Sequence, residues 1–358
     1  MRGLALLAAG LTAMLVSSLA LAADGDPLLS PRQVTDGPGN HLRPAWSPDG
    51  RQIAYQANQG GGGHAIWIVN RDGSGHRKLT DGTGDDRRPA WSPDGQFIAF
   101  DSARSGDRDI WIVPSAGGAP RRLTSASGDE TFASWSPDGR QIAYYTYADG
   151  VMEVAVSDVS GTGTRTLTRG LASVEQKNCT FGCHAVSWNR DGSQIAYTSG
   201  DQRRVLVTNA DGSGLHEAPN GQRIGTYHFP DWLADGSLIF ISDERGEKPW
   251  TDVWRLTPAG ELTRLFTRID HGGPFAWSPD GHAVAFHSPR SGQFHIYVAD
   301  LEGDGIGLLA RYRSGLASAS PEAVARPIAL AAAIGSVVVA ALAAGGVGLW
   351  WLRGRRRR

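Results

Sequence analysis

A five-residue motif, Trp-Ser-Pro-Asp-Gly, recurs along the chain and constrains its fold more than any other feature. Four copies are identical, and two are variants that read Trp-Asn-Arg-Asp-Gly and Trp-Leu-Ala-Asp-Gly. Successive motif tryptophans are 45, 44, 53, 44 and 45 residues apart; they are Trp46, Trp91, Trp135, Trp188, Trp232 and Trp277. Periods of this length are typical of repeat architectures. Six repeats leave little of the chain for another domain.

Each repeat has the same internal order of turns and strands. Ser-Pro-Asp-Gly fits a type I turn, because proline fixes φ at its second position and glycine closes it. A strand such as "RQIAYQA" follows, then a run such as "AIWIVN", a Gly-rich turn and a short strand such as "RKLTD". Four strands joined by short connections predict one antiparallel sheet for each repeat.

The apolar residues indicate that both faces of each sheet are covered. The run 66–69, Ile-Trp-Ile-Val, is apolar on both faces of its strand. A small alanine followed by Tyr or Phe recurs at 54, 99, 143, 196 and 285, and only the fifth repeat differs, with Phe240 and Ile241. We therefore predict an all-β, six-bladed β-propeller of four-stranded antiparallel blades. The alternative, a linear β-solenoid, usually has shorter repeats and exposed ends.

One strand-like segment stands before the first tryptophan. "RQVTDG" at 32–37 is similar to "RKLTDG" at 77–82, which ends the first repeat. We expect this N-terminal segment to supply the outer strand of the sixth blade. The competing candidate, "GIGLLARY" at 305–312, lacks the R-x-L-T pattern.

Together the motifs W-S-P-D-G-x-x-I-A-F/Y, D-I-W-I-V and R-x-L-T resemble the TolB-type, WD40-like (PD40) propeller repeat over about residues 31–312. The resemblance implies a periplasmic propeller that binds partner proteins or peptides and has no chemistry of its own. TolB proteins carry an α/β domain before their propeller. Only a few residues precede the first strand here after the predicted signal peptide, so the particular partner of TolB is not carried over.

The two ends of the chain predict export and membrane anchoring. Residues 1–22 read as a signal peptide ending in Ala-Leu-Ala, with an uncleaved anchor as the alternative. The propeller is expected over 23–312, and 313–326 form a small-residue linker. Residues 327–352 are long and apolar enough for a transmembrane helix, and 353–358 form a basic tail expected in the cytoplasm. This places the propeller in the bacterial periplasm, unless the tail is a sorting signal that is removed.

Charge and motifs exclude two classes of function. The chain has 35 basic and 36 acidic side chains, and six of the basic ones lie in the signal peptide and the tail. The remaining 29 bases and 36 acids give the exported body a net charge near −7, so nucleic acid is not an expected partner. No G-x-S-x-G nucleophile motif occurs, and we predict that the protein is not an enzyme.

An inserted loop contains both cysteines of the chain. The spacing between Trp135 and Trp188 is nine residues longer than the spacing before it, and the insertion links the third and fourth repeats. In an oxidising compartment Cys179 and Cys183 are expected to form a disulfide, with no cofactor. The alternative is a redox protein with covalent c-type haem, since Cys-x3-Cys-His is a variant of the haem-attachment motif and His184 could bind the iron.

The repeat also predicts which other residues share that face. His41, His184, His228 and His271 lie four to six residues before their tryptophans and should gather at one rim. His228 or His271 could supply a second axial ligand, or the group could bind zinc or copper with the thiolates. A mixed-sign rim that suits a protein or peptide partner is expected from Arg43, Arg87, Arg88, Asp129, Glu130, Asp231 and Asp270.

The state of Cys179 and Cys183 distinguishes the two interpretations. We expect protein matured in a host competent for cytochrome c to have a mass two protons below the reduced chain and to show no Soret band, because the thiols pair with each other. Intact-mass measurement, haem staining and an absorbance spectrum check this. A haem-sized mass increase with a Soret band would contradict the disulfide and leave the redox protein.

Overall fold

A computed structural model describes residues 31–58, 62–168, 185–199, 204–218, 226–233, 236–243, 250–270 and 274–300. The predicted signal peptide, linker, transmembrane helix and basic tail lie outside these residues. Within the described ranges, no helix has the length and apolar character needed to cross a bilayer.

The described residues form 24 strands arranged in six sheets. Blade 1 contains β2 (His41–Trp46), β3 (Gln52–Ala57), β4 (Ala65–Asn70) and β5 (Arg77–Lys78). Blade 2 contains β6 (Arg87–Trp91), β7 (Phe97–Ser102), β8 (Asp109–Pro114) and β9 (Arg121–Arg122). Blade 3 contains β10 (Asp129–Trp135), β11 (Gln141–Ala148), β12 (Val151–Asp158) and β13 (Thr164–Thr166).

The remaining three blades follow the same order. Blade 4 contains β14 (Val186–Trp188), β15 (Gln194–Thr198), β16 (Val205–Asn209) and β17 (His216–Glu217). Blade 5 contains β18 (Thr226–Trp232), β19 (Leu238–Asp243), β20 (Trp250–Leu256) and β21 (Leu262–Asp270). Blade 6 contains β22 (Ala276–Trp277), β23 (Ala283–Ser288), β24 (His295–Asp300) and the N-terminal β1 (Arg32–Gln33).

Every strand pairing is antiparallel, and the sixth sheet has the order β1-β24-β23-β22. Arg32 pairs with Val298 and Gln33 with Tyr297, so the start of the propeller completes its last blade. The six-bladed architecture and the closing role of 32–37 are both confirmed.

The two ends of each strand define two faces of the propeller. The links between blades, such as residues 79–86, lie at the same end as the loops between second and third strands, such as 103–108; we call this the rim face. The Ser-Pro-Asp-Gly turns lie at the other end, which we call the turn face. Because the meander is repeated in every blade, residues before a motif tryptophan run from the rim face towards the turn face.

The Ser-Pro-Asp-Gly turn satisfies its own polar groups. In the first copy the Gly50 amide donates to the Ser47 carbonyl oxygen over 2.9 Å, and φ of Gly50 is +70°. The Ser47 hydroxyl donates to the Asp49 carboxylate over 2.6 Å and accepts from the Gln52 amide over 2.9 Å. The Asp49 carboxylate also accepts from the amide of Arg51, the residue directly before β3. The predicted type I geometry is confirmed.

The hydrophobic core lies between blades, in six clusters that each combine residues of two neighbouring blades. Ala54 of blade 1, for example, shares a cluster with Phe100 of blade 2, and both are fully buried. Ala99 of blade 2 similarly clusters with Tyr144 of blade 3. The alternation of small and large side chains therefore lets adjacent sheets pack against each other.

Four motif tryptophans, Trp46, Trp91, Trp135 and Trp188, connect neighbouring blades by hydrogen bonds. The Trp91 indole N–H donates to the carbonyl of Ala45, and that of Trp135 donates to Ala90, each over 3.1 Å. Trp46 donates to Ala276 over 2.9 Å, which joins blade 1 to blade 6 across the closure. Each of these four indoles therefore buries apolar area and also satisfies a backbone carbonyl of the neighbouring blade, whereas the buried indole N–H of Trp232 makes no hydrogen bond.

The threonine of the R-x-L-T pattern has a repeated structural role. The hydroxyl oxygen accepts a hydrogen bond from a backbone amide in the third strand of the same blade, over 2.9 Å, in the case of Thr80, Thr124 and Thr168. Thr35 does the same for blade 6, accepting from the Ile296 amide over 2.8 Å. The N-terminal segment thus reproduces the side-chain contact of an ordinary outer strand as well as its pairing.

We predict that Thr35→Val lowers the free energy of unfolding by about 1–3 kcal/mol, because it leaves the buried Ile296 amide without an acceptor. The matched control is Thr124→Val, which removes the equivalent bond inside blade 2. Urea denaturation of both variants checks this. A cost for Thr124→Val together with no cost for Thr35→Val would contradict closure by the N-terminal strand.

Candidate functional site: the axial channel

The innermost strands of four blades are irregular at one repeated position. Three residues before the tryptophan, the strand register shifts and the backbone enters the left-handed region. The residues there are Arg43, Arg88, Phe132 and Phe229, with φ of 58°, 55°, 61° and 52°. For a residue with a Cβ this conformation costs about 1 kcal/mol or more. Bulges of this kind redirect a side chain, and they are common beside functional sites.

A cavity of about 380 Å³ lies where these positions meet. Residues from the innermost segments of all six blades line it, so it lies on the propeller axis; they include Arg43, Pro44, Arg88, Pro89, Phe132, Ala185, Ser187, Phe229, Asp231, Pro274 and Phe275. Its volume is within the range of small-ligand pockets. The repeat therefore gathers residues that are up to 232 positions apart in the chain.

The guanidinium of Arg43 reaches across this cavity. Its Cζ lies 5.6 Å from the centre of the Phe132 ring and 5.3 Å from that of Phe229. These rings belong to blades 3 and 5, on opposite sides of blade 1, so the Arg43 cation lies near the axis. Arg88 lies closer to the same wall, with its Cζ 4.2 Å from the centre of Phe132. Such contacts contribute about 0.5–2 kcal/mol each.

Ion pairs hold the arginines beside the channel in place. Arg88 and Arg108 both contact one carboxylate oxygen of Asp101, at 2.9 and 3.1 Å, and the Asp101 side chain is fully buried. Arg108 also pairs with Asp85, which accepts from Arg87 at 2.7 Å as well. Because two carboxylates are shared among three guanidinium groups, this side of the channel remains positive.

The channel environment also affects Arg43 itself. Burial, followed by the positive charge of Arg88, lowers the pKa of the Arg43 guanidinium to about 9. The group is therefore still protonated at neutral pH. The Arg43 amide lies 3.5 Å from Nδ1 of His287, which is buried in blade 6.

The wall formed by blades 4 and 5 has the opposite character. The Asp231 carboxylate accepts from the Ser187 hydroxyl over 2.8 Å and from the Trp232 amide over 2.9 Å. Asp231 and Ser187 also line a second cavity of about 400 Å³, together with Pro137 and Pro279 of the turn face. Asp231 therefore borders both cavities, and the channel is positive on the side of blades 1 and 2 and negative at blade 5.

The charged residues predicted for the rim have different positions. Arg43, Arg88 and Asp231 line the channel. Arg87 pairs with Asp85 beside the channel. Asp129, the first residue of β10, accepts from the amide of Arg108 in the loop before β8, over 3.0 Å. The side chain of Asp270, at the end of β21, lies outside the described residues.

The predicted histidine group falls mostly outside the described part of the chain. His184 and His271 lie outside it, as do Cys179 and Cys183. His228 is at the start of β18, with its ring 6.2 Å from that of Phe229. His41 is fully buried between blades 1 and 6, with its Nδ1 3.4 Å from Nδ1 of His295. Among the described residues, no three His, Cys, Asp or Glu side chains are placed to bind a metal ion.

Glu130 was expected at the rim, but its side chain is only 1% exposed. Neither of its carboxylate oxygens makes a hydrogen bond. Burial raises the pKa of Glu130 to about 7, and the negative charge of Asp109 acts in the same direction. The nearby Thr124 hydroxyl and the positive charge of Arg122 favour the charged carboxylate and partly oppose this shift. Asp109 is also buried and pairs with Arg122 at 2.8 Å. Glu130 is therefore a buried interblade acid and is not presented to solvent.

Sequence reasoning missed the aromatic residues of the channel, Phe132, Phe229 and Phe275. The signal was present in the repeat alignment. Three residues before each tryptophan the copies read Arg, Arg, Phe, Ala, Phe and Pro, at a position where a propeller repeat faces its axis. Phe132 and Phe229 occupy this position, whereas Phe275 lies two residues before Trp277 and falls outside the pattern.

Comparison with known proteins agrees with the fold. The family model for the TolB beta propeller domain (PD40) matches residues 29–181. A putative TolB from Agrobacterium tumefaciens is 22% identical over 76% of this chain and 94% of its own length, with a TM-score of 0.54. TolB from Acinetobacter baumannii is 17% identical over 74% of this chain and 65% of its own, with a TM-score of 0.53. The resemblance to the TolB-type repeat is confirmed.

An enzyme has a similar fold. An oligogalacturonate lyase from Vibrio parahaemolyticus is 12% identical over 75% of this chain and 93% of its own, with a TM-score of 0.54. At this identity the likeness concerns the fold alone, and it transfers no activity.

The raised pKa of Glu130 predicts how the stability of the protein depends on pH. Its pKa in the folded protein, about 7, is above the ordinary value of 4.5, so the folded state holds this proton more tightly than the unfolded state. Its contribution to stability is therefore complete below pH 4.5 and is lost as the pH rises to 7, by about 3 kcal/mol. We expect Glu130→Gln to gain stability relative to the parent chain by about this amount between pH 4.5 and pH 7.5.

Urea denaturation at several pH values measures this difference, and Glu217→Gln, at an exposed position, is the control. The free energies of unfolding of the parent chain and the variants must be compared at each pH, because His41 makes the stability of all of them depend on pH in the opposite direction. Burial, followed by His295, lowers the pKa of His41 to about 4, so its contribution is lost as the pH falls from 6.5. A Glu130→Gln difference that is independent of pH would contradict the prediction.

Proposed function

We propose that this TolB-type β-propeller is a non-catalytic module that binds a protein or peptide through its rim face and axial channel. We further propose that it acts outside the cytoplasm, tethered to the cytoplasmic membrane by the segment 327–352. The first proposal is supported by the structure of the channel and the second by the sequence, together with the periplasmic location of the TolB-like propeller family in bacteria.

The observation that carries the binding proposal is the convergence of all six blades on one cavity. Arginine and aromatic side chains dominate the positive side of that cavity, and these residue types are enriched at the energetic centres of protein interfaces. They are positioned in advance by bulges, ion pairs and cation–π contacts. A partner would therefore meet groups that lose little conformational freedom on binding.

Two carboxylates in or beside the channel have structural partners within the protein. Asp231 is held by Ser187 and by its own strand, and Asp101 is shared between Arg88 and Arg108. Both carboxylates therefore hold neighbouring side chains in place, which suits a preorganised binding surface. A lyase with a similar fold shows that propellers can carry chemistry, but TolB-like propellers are typically non-enzymatic.

Membrane tethering is consistent with this role. The linker 313–326 is short and rich in Ala and Ser, so it would keep the propeller near the outer surface of the cytoplasmic membrane. A partner would then be bound within the envelope and not in the cytoplasm. The redox alternative depends on Cys179, Cys183 and His184, and the mass and haem measurements described above test it separately.

Site-directed photocrosslinking in native membranes tests the binding proposal. With benzoylphenylalanine at Asp107, an exposed position in a loop of the rim face, we expect a discrete crosslinked protein. The same probe at Arg140, an exposed position beside a turn of the opposite face, is the matched control. Recovery of no adduct from Asp107, or of the same adduct from both positions, would contradict a rim-face partner.

A further inference from the structure

We propose that the closure seam, where β2 of blade 1 meets β24 of blade 6, binds a zinc ion through Nδ1 of His41 and Nδ1 of His295. His41 is the first residue of β2 and His295 is the first residue of β24, so both lie at the rim-face end of the seam. Neither residue lines the axial cavity. The inference therefore goes beyond the proposed binding function and does not depend on it.

The two imidazole nitrogens have the separation that a tetrahedral zinc ion requires. Zinc binds imidazole nitrogen at about 2.0–2.1 Å, so two nitrogens on one tetrahedral ion are about 3.3–3.4 Å apart. Nδ1 of His41 and Nδ1 of His295 are 3.4 Å apart, and their rings are nearly perpendicular, at 83°. Without an ion, one Nδ1–H donates to the other Nδ1. Zinc would replace that shared proton, which then lies on Nε2 of its ring.

Backbone hydrogen bonds hold both ligands in place before an ion binds. The His41 amide donates to the carbonyl oxygen of Phe294 over 2.8 Å. The Ile296 amide donates to the hydroxyl oxygen of Thr35, also over 2.8 Å. His295 lies between these two bonds, so the segment before β2 fixes the backbone on both sides of it. The ligands therefore lose little conformational freedom when a metal binds.

The same backbone contact recurs at two other seams between blades. The amide five residues before a motif tryptophan donates to the carbonyl just before the third strand of the preceding blade. The bonds are 2.8 Å for Asp86 to His64, 2.6 Å for Glu130 to Arg108 and 2.8 Å for His41 to Phe294. The positions of His41 and His295 are therefore equivalent to defined positions at the other seams.

The side chains at these equivalent positions differ from seam to seam. Between blades 1 and 2 they are Asp86 and Ala65, and Asp86 pairs with Arg104 at 2.8 Å. Between blades 2 and 3 they are Glu130 and Asp109, and Asp109 pairs with Arg122 at 2.8 Å. An arginine thus neutralises an acid at each of these seams. Of the three, the closure seam alone brings two neutral metal-binding side chains together.

The protonation state and the local charge at the closure seam suit a cation. Burial, followed by the charges of His295 and His76, lowers the pKa of His41 to about 4, and burial also lowers the pKa of His295. Both imidazoles are therefore neutral at pH 7, as metal ligands must be. The negative charge of Asp36 acts on both rings and favours a positive charge there. Asp36 is exposed and would attract a cation to the buried pair.

The ligands and their separation favour zinc over other common divalent ions. Magnesium and calcium prefer oxygen ligands, whereas imidazole suits zinc and copper. Nitrogens at about 2.0 Å on adjacent corners of a square-planar copper site are only about 2.8 Å apart, which is shorter than the observed separation. Water would complete the zinc coordination. With two protein ligands the site is weaker than a structural zinc site with four.

A zinc ion at this position would join the first blade to the last. The two ligands come together only when the ring of blades is closed, so the ion binds the closed propeller and not the unfolded chain. Its binding free energy therefore stabilises closure by mass action. The ion would act as a second clasp beside the strand β1.

Calorimetric titration of the purified full-length chain with zinc chloride at pH 7 tests the inference. We expect His295→Gln to weaken zinc binding at least about tenfold, because even an outer-shell partner of a metal contributes that much. His41→Gln is expected to have the same effect, so the conclusion does not depend on the folding of one variant. The matched control is His282→Gln, which removes an exposed histidine of blade 6 and is expected to bind zinc as the parent does.

Thermal denaturation and cobalt spectroscopy measure the clasp and the coordination. We expect zinc to raise the unfolding temperature of the parent and of His282→Gln, but not that of His295→Gln. Cobalt(II) in place of zinc is expected to give the strong visible absorption of a tetrahedral site, and both ligand variants are expected to lose it.

Three results would overturn the inference. Absence of zinc binding by the folded parent chain would exclude the site. Equal zinc affinity in the parent, His41→Gln and His295→Gln would assign the ion to other residues, such as those of the inserted loop. Binding that depends on both histidines but leaves the unfolding temperature unchanged would refute the clasp.

Discussion

The packing of each blade against its two neighbours is the interaction on which the rest of this structure depends. Within the described part of the chain no blade has a core of its own, because the six apolar clusters lie between blades. A blade at an open end would leave one of its faces exposed to water, at a cost proportional to its apolar area. The strand β1 prevents this by completing blade 6, and Thr35 supplies the hydrogen bond that an outer strand normally makes. The ring of blades must therefore close if the apolar faces of its first and last blades are to be buried.

Closure also determines what the centre of the molecule can be. Six innermost strands approach one axis, and the indole of a motif tryptophan such as Trp91 spans from its own blade to the preceding one. The backbone near the axis is therefore held in place, and the side chains three residues earlier are directed into a shared space. The left-handed backbone at Arg43, Arg88, Phe132 and Phe229 is an energetic cost that this rigid frame sustains. The channel has its composition because these bulges place long and aromatic side chains in it.

Electrostatics then separates groups that hold the fold from groups that can meet a ligand. Asp101 is buried and shared by two arginines, so it neutralises charge inside the protein. Glu130 is buried without a hydrogen bond and is stabilised in its neutral form. Arg43, by contrast, lines the axial channel between two aromatic rings. Groups of the same types, all predicted for one rim from their spacing, therefore have different roles.

The sequence by itself determined the blade number, the strand order, the turn geometry and the segment that closes the propeller. These follow from periodicity, from turn-forming residues and from the small-large alternation at positions such as Ala54 and Tyr55, all of which are local patterns repeated six times. Its spacing also located Arg43, Arg88 and Asp231 near the central opening. The number of residues between a side chain and its motif tryptophan can be read from the sequence, and it predicts the position of that side chain along the innermost strand.

Only the tertiary structure decided which of the rim residues share a cavity and which are buried. Asp129 and Glu130 are adjacent in sequence, yet Glu130 turns into the interface between blades because strand side chains alternate between faces. The approach of Arg43 to Phe132 and Phe229 depends on three blades and on bulges whose position no local motif marks. Contacts between residues 89 and 186 positions apart arise only when the propeller closes, because closure sets the distance of every innermost strand from the axis.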